Sequence, residues 1–390
     1  MEQMSVLLAQ ANSIKIPLAD KSCHVVCTSP PYYGLRSYGI GIENGEIGLE
    51  PTPDDFVQAM VTVGRQLWRV LRDDGTWWLN LGDSYNGSGK GEVVSDKSLI
   101  NYKANQLNHK TDIKNLKPKD LIGIPWMVAF ALRNDGWILR QDIIWHKPNP
   151  MPESVKDRCT KAHEYIFLLT KSAKYYYDNE AVKEASKDPD DDRGARGNNK
   201  RTPTRLIAGI RDSGVYPMAN RRSVWTISTK PYPGSHFATF PPDLVEPCIL
   251  AGTSEKGVCP KCGAPWERVI KRGDLISTDG TADDYKPKKG TDDQKIKGRS
   301  DGWVPNHYVE QSTIGWRPTC DCGVEETVPA TVFDPFVGSG TTLMVARKHG
   351  RNGIGLDLSF DYLNTNARER LVYGGFVPVA DGVNQLTINM

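Results

Sequence analysis

Short apolar runs alternate along the chain with stretches whose apolar positions recur every three or four residues, the pattern of strands alternating with helices. Residues 23–28, CHVVCT, are apolar and β-branched and predict a buried strand, with TSPPYYG at its C-terminal end. A helix follows: Thr52 and Asp55 predict its cap, Pro53 suits its first turn, and Phe56, Met60, Val63, Leu67 and Val70 share one face. Gly75 predicts its end and TWWLNL, residues 76–81, the next strand. The pattern resumes with helix PWMVAFALRND, a stop at Gly136, strand ILRQDIIW and the apolar strand HEYIFLLT at 163–170. HFATFPPDLVEPCILAG predicts a loop running into a helix. The closing run predicts a strand at 331–333, a Gly-rich loop, a helix at 341–349, a strand at 353–357 and a helix at 359–371. Such alternation predicts an α/β fold with a mainly parallel sheet and helices on both faces.

Polar segments interrupt this order. Ser84 to Lys119 is Lys-rich and aperiodic and predicts a mobile loop, and residues 270–311 are hydrophilic and predict a flexible stretch. With 390 residues the chain accommodates one large domain of about 250 residues plus insertions. No apolar run reaches the roughly 18 residues of a membrane span, and MEQMSVLLAQANSIKI lacks the basic flank of a signal peptide. The expectation is a cytoplasmic protein with no membrane partner, monomeric or homodimeric. A formal net charge of +2 hides a local field: residues 193–230 hold nine Lys or Arg against one acid, Asp212.

The most specific stretch is FDPFVGSGTT, where a strand runs through a Gly-rich loop into a helix. A P-loop needs Lys before its Ser or Thr, yet Thr341 follows Gly340 directly; a dinucleotide fingerprint needs a third Gly or Ala, and Leu343 stands there. An acid at each strand end remains, Asp334 and Asp357, the second 19 residues beyond Gly338, where an acidic side chain can bond ribose hydroxyls. The pattern fits a nucleoside ligand without a pyrophosphate. S-adenosylmethionine is such a ligand, with Asp334, Pro335, Phe336, Gly338, Ser339, Gly340, Thr341 and Asp357 as candidate contacts. The alternative is a strand–helix turn whose glycines only permit tight packing.

TSPPY at one strand end and DPFVGSGTT at another resemble the amino-methyltransferases of DNA, which move a methyl group from S-adenosylmethionine to an exocyclic base nitrogen. The order, catalytic motif before cofactor loop, looks like that of the β group. The resemblance spans roughly residues 18–175 and 224–372, including WHKPNPMPESVKDRCTKAHEYIFLLTKS and HFATFPPDLVEP, the latter similar to a motif that supplies cofactor contacts and so implicating His236 and Phe237. It implies a Rossmann-like methyltransferase fold and a catalytic motif of Ser29, Pro30, Pro31 and Tyr32. The chemistry suits these residues. An aromatic amine is a poor nucleophile because its lone pair is delocalised into the ring, and acceptors such as Ser29 Oγ and the Pro30 carbonyl favour its pyramidal form. Tyr32 would stack on a base flipped out of the duplex. In the family, Ser at the first motif position leans towards cytosine N4 and Asp towards adenine N6. Rival readings are methylation of RNA or of a protein glutamine, and a DNA-binding protein that has lost catalysis. Ser29, the motif order, the basic insertion and the intact glycines argue against them.

Two features lie outside the resemblance. CPKCG and CDCG place Cys259 and Cys262, Cys320 and Cys322 as two close pairs, a spacing that predicts a structural four-thiolate zinc knuckle, although the second pair is CxC; the alternative is four free thiols in a polar loop. The basic stretch predicts the contact to double-stranded DNA, through Arg193, Arg196, Lys200, Arg201, Arg205, Arg221 and Arg222. The expected organisation is a catalytic half over 1–175, a recognition insertion over 176–230, a cofactor-side motif over 231–258, the Cys segment over 259–323 and a cofactor-binding half over 324–390. A restriction endonuclease acting on the same site is a candidate partner. Asp83, at the end of TWWLNLGD, is a candidate for holding substrate or cofactor.

Overall fold

The computed structural model describes residues 5–34, 40–87, 116–185, 218–229, 240–277, 307–372, 377–378 and 385–389. Strand β1 (Ser5–Gln10) leads to β2 (Cys23–Thr28), whose apolar residues are fully buried as the pattern predicts. Helix α1 (Pro53–Val70) begins where its punctuation places it, with Thr52 Oγ1 accepting the Asp55 N–H at 3.1 Å. Its apolar face, Phe56, Met60, Val63 and Leu67, is buried.

Gly75 does not end this helix. The helix stops at Val70, and Gly75 lies inside β3 (Leu71–Leu81), where an added Cβ would come within 2.8 Å of the His24 carbonyl oxygen. The glycine therefore serves the close approach of two strands, at an irregularity where the β2–β3 register jumps from Cys23↔Leu71 to Val25↔Thr76. Helix α2 (Ile124–Asn134), β4 (Ile138–His146) and β5 (His163–Thr170) follow as predicted. After the two-residue strands β6 (Glu184–Ala185) and β7 (Met218–Ala219) come β8 (Val224–Thr226), α3 (Pro242–Gly252), β9 (Trp266–Ser277) and β10 (His307–Pro318). The chain then forms β11 (Thr331–Asp334), α4 (Thr341–Lys348) and β12 (Asn352–Asp357). Closing helix α5 runs over Phe360–Tyr362, as a π segment over Leu363–Ala367, and over Arg368–Val372. Strands β13 (Val377–Pro378) and β14 (Gln385–Asn389) come last.

Ten strands form the main sheet in the order β13-β14-β1-β12-β11-β2-β3-β5-β4-β8. From β1 to β3 every neighbouring pair is parallel, and β5 runs antiparallel between β3 and β4. Successive residues of β3 show why helices cover both faces. Trp77 packs edge-on against Trp137 in the core shared with α1 and α2, while Trp78 lines a cavity with Leu244, Val245 and Cys248 of α3. Parallel sheets carry ligands at the C-terminal ends of their strands, and Thr28, Leu81, Asp334 and Asp357 end β2, β3, β11 and β12.

The chain divides into two compact units: one of residues 1–181, 222–266 and 318–390, the other of residues 182–221 and 267–317. All four cysteines of the two pairs fall in the first. In the second, β9 pairs with β10 and β6 with β7. The ends of the hydrophilic 270–311 stretch are thus strand rather than flexible chain, because backbone pairing needs no apolar run. The ends of the 84–119 segment are tied as well: Asn86 N–H bonds Asp120 O at 2.8 Å and Lys119 N–H bonds Asn86 O at 2.9 Å. Residues 88–115 lie outside the described residues. No helix among the described residues is long and apolar enough to cross a membrane.

One buried carboxylate joins the two strands that carry the two motifs. Asp334, only 1% exposed, accepts from Thr28 Oγ1 at 2.6 Å, Thr342 Oγ1 at 2.7 Å and Phe336 N–H at 3.0 Å. Burial raises its pKa from 3.8 to about 6, against the pull of these three donors. A folded pKa above the unfolded one means that stability from this group is fully present below pH 3.8 and is lost as pH rises through about 6. Thr28→Val keeps the shape but removes a donor to the charged form, so it should cost about 1–3 kcal/mol in urea unfolding. The deficit should be larger at pH 8 than at pH 5; an equal deficit at both would refute the role of the charge.

Candidate active site

The SPPY motif leaves the end of β2 directly. Pro30 is buried, Ser29, Pro31 and Tyr32 are half-buried, and the turn closes where Gly34 N–H bonds Gly48 O at 2.8 Å. Among the described residues no hydrogen bond occupies the hydroxyl of Ser29, which lies one residue beyond the end of β2. Tyr32 is held from several sides. Its ring rests on the backbone of Gly82, where a Cβ would fall 2.5 Å from Tyr32 Cε2. Its hydroxyl lies 2.6 Å from Glu164 Oε2 and 3.1 Å from Asn80 Oδ1. Asn80 Nδ2 donates to Glu164 Oε2 at 3.3 Å and to Tyr165 O at 3.1 Å, and Lys147 Nζ pairs with Glu164 Oε1.

Across the β2–β11 seam lies the Gly-rich loop. Gly338 and Gly340 take φ values of 49° and 79°, a left-handed conformation that favours glycine, and Gly340 opens α4. Asp357 ends β12 with Oδ2 accepting Gly338 N–H at 3.2 Å and Oδ1 accepting Ser359 N–H at 3.0 Å; burial raises its pKa. A carboxylate has about four lone-pair sites, so two bonds leave capacity for hydroxyls. Pro335 O accepts from the buried Ser13 Oγ at 2.6 Å, and Phe336 packs against the core. Ser339 and Thr341 are turned inward, their hydroxyls 2.9 and 2.7 Å from Nη1 of Arg370 on α5. The structure thus brings Ser29–Tyr32, Asp334–Thr341 and Asp357 to one end of the sheet. His236 and Phe237 lie outside the described residues, but Phe240 of the same motif lines the cavity beside Thr28 and Asn80.

Asn80, Lys147 and Glu164 escaped the sequence reading. A signal was present: Asn80 and Glu164 are polar positions in the otherwise apolar strands TWWLNL and HEYIFLLT. Ser13 and Arg370 carried none, since each acts across more than 25 residues of chain. Asp83 caps α2, accepting from Gly123 N–H at 3.0 Å and Ile124 N–H at 3.1 Å, which satisfies N–H groups that a helix start leaves unpaired.

The four cysteines converge: the sulfurs of Cys259, Cys262, Cys320 and Cys322 all lie within 4.8 Å of one another. Backbone N–H groups of Cys262 and Lys261 bond the Cys259 sulfur and draw its pKa down to about 7. Tetrahedral zinc with Zn–S bonds of about 2.3 Å requires sulfurs about 3.8 Å apart, so small adjustments fit the set to a metal. The cluster is anchored to the sheet. Arg72 Nη1 donates to Cys262 O at 2.6 Å, and the His24 ring bridges Gly263 O and Thr331 N–H, each at 3.0 Å. Burial holds the His24 pKa down at about 4, so the ring is neutral; accepting Thr331 N–H at Nδ1 leaves Nε2 to donate to Gly263 O.

Of the basic positions, Arg193, Arg196, Lys200, Arg201 and Arg205 lie outside the described residues. Arg221 is half-buried in the second unit; Arg222 is exposed in the first, its carbonyl accepting from Trp225 Nε1 at 2.8 Å.

The family model described as DNA methylase matches residues 23–260 and 327–368, more than half of the chain. Type II methyltransferase M.Cfr9I of Citrobacter freundii is 47% identical over 244 residues, 62% of this chain and 70% of that protein. Type II methyltransferase M.SmaI of Serratia marcescens is 48% identical over 233 residues, 60% of this chain and 69% of that protein. Among solved structures, the PvuII DNA methyltransferase (cytosine-N4-specific) aligns at a TM-score of 0.48 and 14% identity, over 92% of this chain and 84% of that one. With the family matched across both motif-bearing strands, the chain belongs to the DNA methylase family and is an S-adenosylmethionine-dependent amino-methyltransferase of DNA, acting on cytosine N4 or adenine N6.

Proposed function

We propose that the protein methylates the N4 amine of a cytosine flipped out of duplex DNA, at the seam between β2 and β11. The observation that carries this reading is the 2.6 Å bond from Thr28 to Asp334, which supports a shared site for the two motifs. S-adenosylmethionine supplies the methyl group. Asp357 would hold the ribose hydroxyls, and the glycine backbone of residues 338–340 would let the nucleoside approach closely. Ser29 Oγ and the Pro30 carbonyl would accept the two amine N–H groups, localising the nitrogen lone pair while positive charge passes to that nitrogen. Proline in the motif offers no N–H to compete for these acceptors. Ser29 itself, where the adenine-directed pattern favours Asp, supports cytosine over adenine.

The basic residues 193–230 would contact DNA phosphates, and a restriction endonuclease sharing the recognition sequence is the expected partner. Cys259, Cys262, Cys320 and Cys322 would hold one structural zinc; four thiolates leave no open position for substrate. Its place in the fold, bound through His24 and Arg72 to the starts of β2, β11 and β3, suits a staple rather than a reaction centre.

Mass spectrometry of nucleosides from DNA treated with protein and isotope-labelled cofactor tests the reading. N4-methylcytosine is expected; N6-methyladenine alone would overturn the choice of base. Ser29→Ala should lower turnover by about 10²–10³-fold with little change in cofactor affinity; near-normal turnover would remove its acceptor role. Asp357→Asn should weaken cofactor binding at least tenfold by calorimetry, about 1.4 kcal/mol, and an unchanged dissociation constant would remove Asp357 from the ribose site. Elemental analysis should find about one zinc per chain, and its removal by chelator should lower the melting temperature. A metal-free protein of full stability would contradict the staple.

A further inference from the structure

Glu164 is not accounted for by the proposed acceptors or cofactor contacts, yet its carboxylate touches the hydroxyl of the stacking tyrosine. Its two oxygens are divided between tasks: Oε1 pairs with Lys147, and Oε2 receives the Tyr32 hydroxyl at 2.6 Å and Asn80 Nδ2 at 3.3 Å. The side chains of Lys147 and Glu164 are only 17% and 14% exposed, so water competes poorly for either. Lys147 is held in turn, with Nζ 4.2 Å from the Trp145 ring centroid. Two strands therefore meet at one phenol, Asn80 from β3 and Glu164 from β5, with Lys147, just past the end of β4, behind Glu164.

An O–H···O⁻ bond of this length lies in the charge-assisted range, about twice as strong as a neutral one. The contact of the ring with Gly82 is made by its carbons and does not involve the hydroxyl. The bond anchors the far end of the ring, and because a phenolic O–H prefers to lie in the ring plane, the direction of the acceptor also orients the ring about the Cβ–Cγ axis, a torsion with broad minima. We propose that Glu164 is a positioning residue for methyl transfer: through the Tyr32 hydroxyl it sets the plane on which the flipped base stacks, with Lys147 balancing its charge and Asn80 its remaining lone pair. This rests on the flipped-base reading of the site.

Single-turnover methylation of duplex DNA by the wild type, Tyr32→Phe, Glu164→Gln and the double variant tests it, with cofactor dissociation constants measured alongside. Each single change should slow transfer about ten- to hundredfold, the worth of one hydrogen bond to a charged group. The double variant should be no slower than the worse single one, and cofactor affinity should stay within about twofold of wild type. Losses that multiply would show Glu164 acting independently of the hydroxyl and overturn the proposal. Glu164→Gln leaves Lys147 without its partner and could fail to fold; Tyr32→Phe removes only the hydroxyl, so near-wild-type transfer by that variant alone overturns the proposal as well. A wild type that transfers no methyl group to DNA overturns the reading beneath it, whereas an active wild type with an unaffected Tyr32→Phe overturns the positioning role only.

Discussion

Everything at this site depends on a carboxylate that water does not reach. Asp334 ends one strand, Thr28 ends its neighbour, and their bond leaves Ser29 as the next residue after the junction. A buried charge is costly unless it is hydrogen-bonded, and here two hydroxyls and a backbone N–H donate to it. The donors come from β2, from the loop and from α4, so one satisfied group fixes the mutual position of catalytic motif, cofactor loop and helix start. Burial outweighs these donors and raises the pKa to about 6 rather than lowering it.

The same logic recurs at the outer edge of the site. Glu164 is held between Lys147, Asn80 and Tyr32, and Asp357 between two backbone N–H groups. In each case a charged group is fixed by hydrogen-bond partners before any ligand arrives, the arrangement that preorganised transfer requires. At the opposite ends of β2 and β11, neutral His24 ties the strands to the cysteine cluster. The strand pair β2 and β11 is thereby braced at both ends.

Much of this was legible in the sequence, because strand tips and helix starts are written in local punctuation. TSPPY and DPFVGSGTT marked the ends of two strands that the fold sets side by side, and Thr52 with Pro53 marked the start of α1. The rest was long-range. Gly75 reads locally as a helix stop, but its close neighbour is His24, some 50 residues earlier. Ser339 and Thr341 read as ligand contacts by position in the loop, and only the fold shows Arg370 bonded to both hydroxyls. Strand β1 is bordered by β12 and β14 from the far end of the chain, a pairing no local pattern encodes.

The central claim is that the Asp334 junction sets the distance between the amine acceptors and the cofactor loop. Thr342→Val weakens that junction from the α4 side without touching Ser29 or Asp357, and the decisive measurement is its single-turnover methyl transfer with cofactor and DNA both saturating. The account predicts a fall of about ten- to hundredfold in a folded protein, since misplacement of even 1 Å is costly to transfer. A folded variant that transfers at the wild-type rate would contradict it.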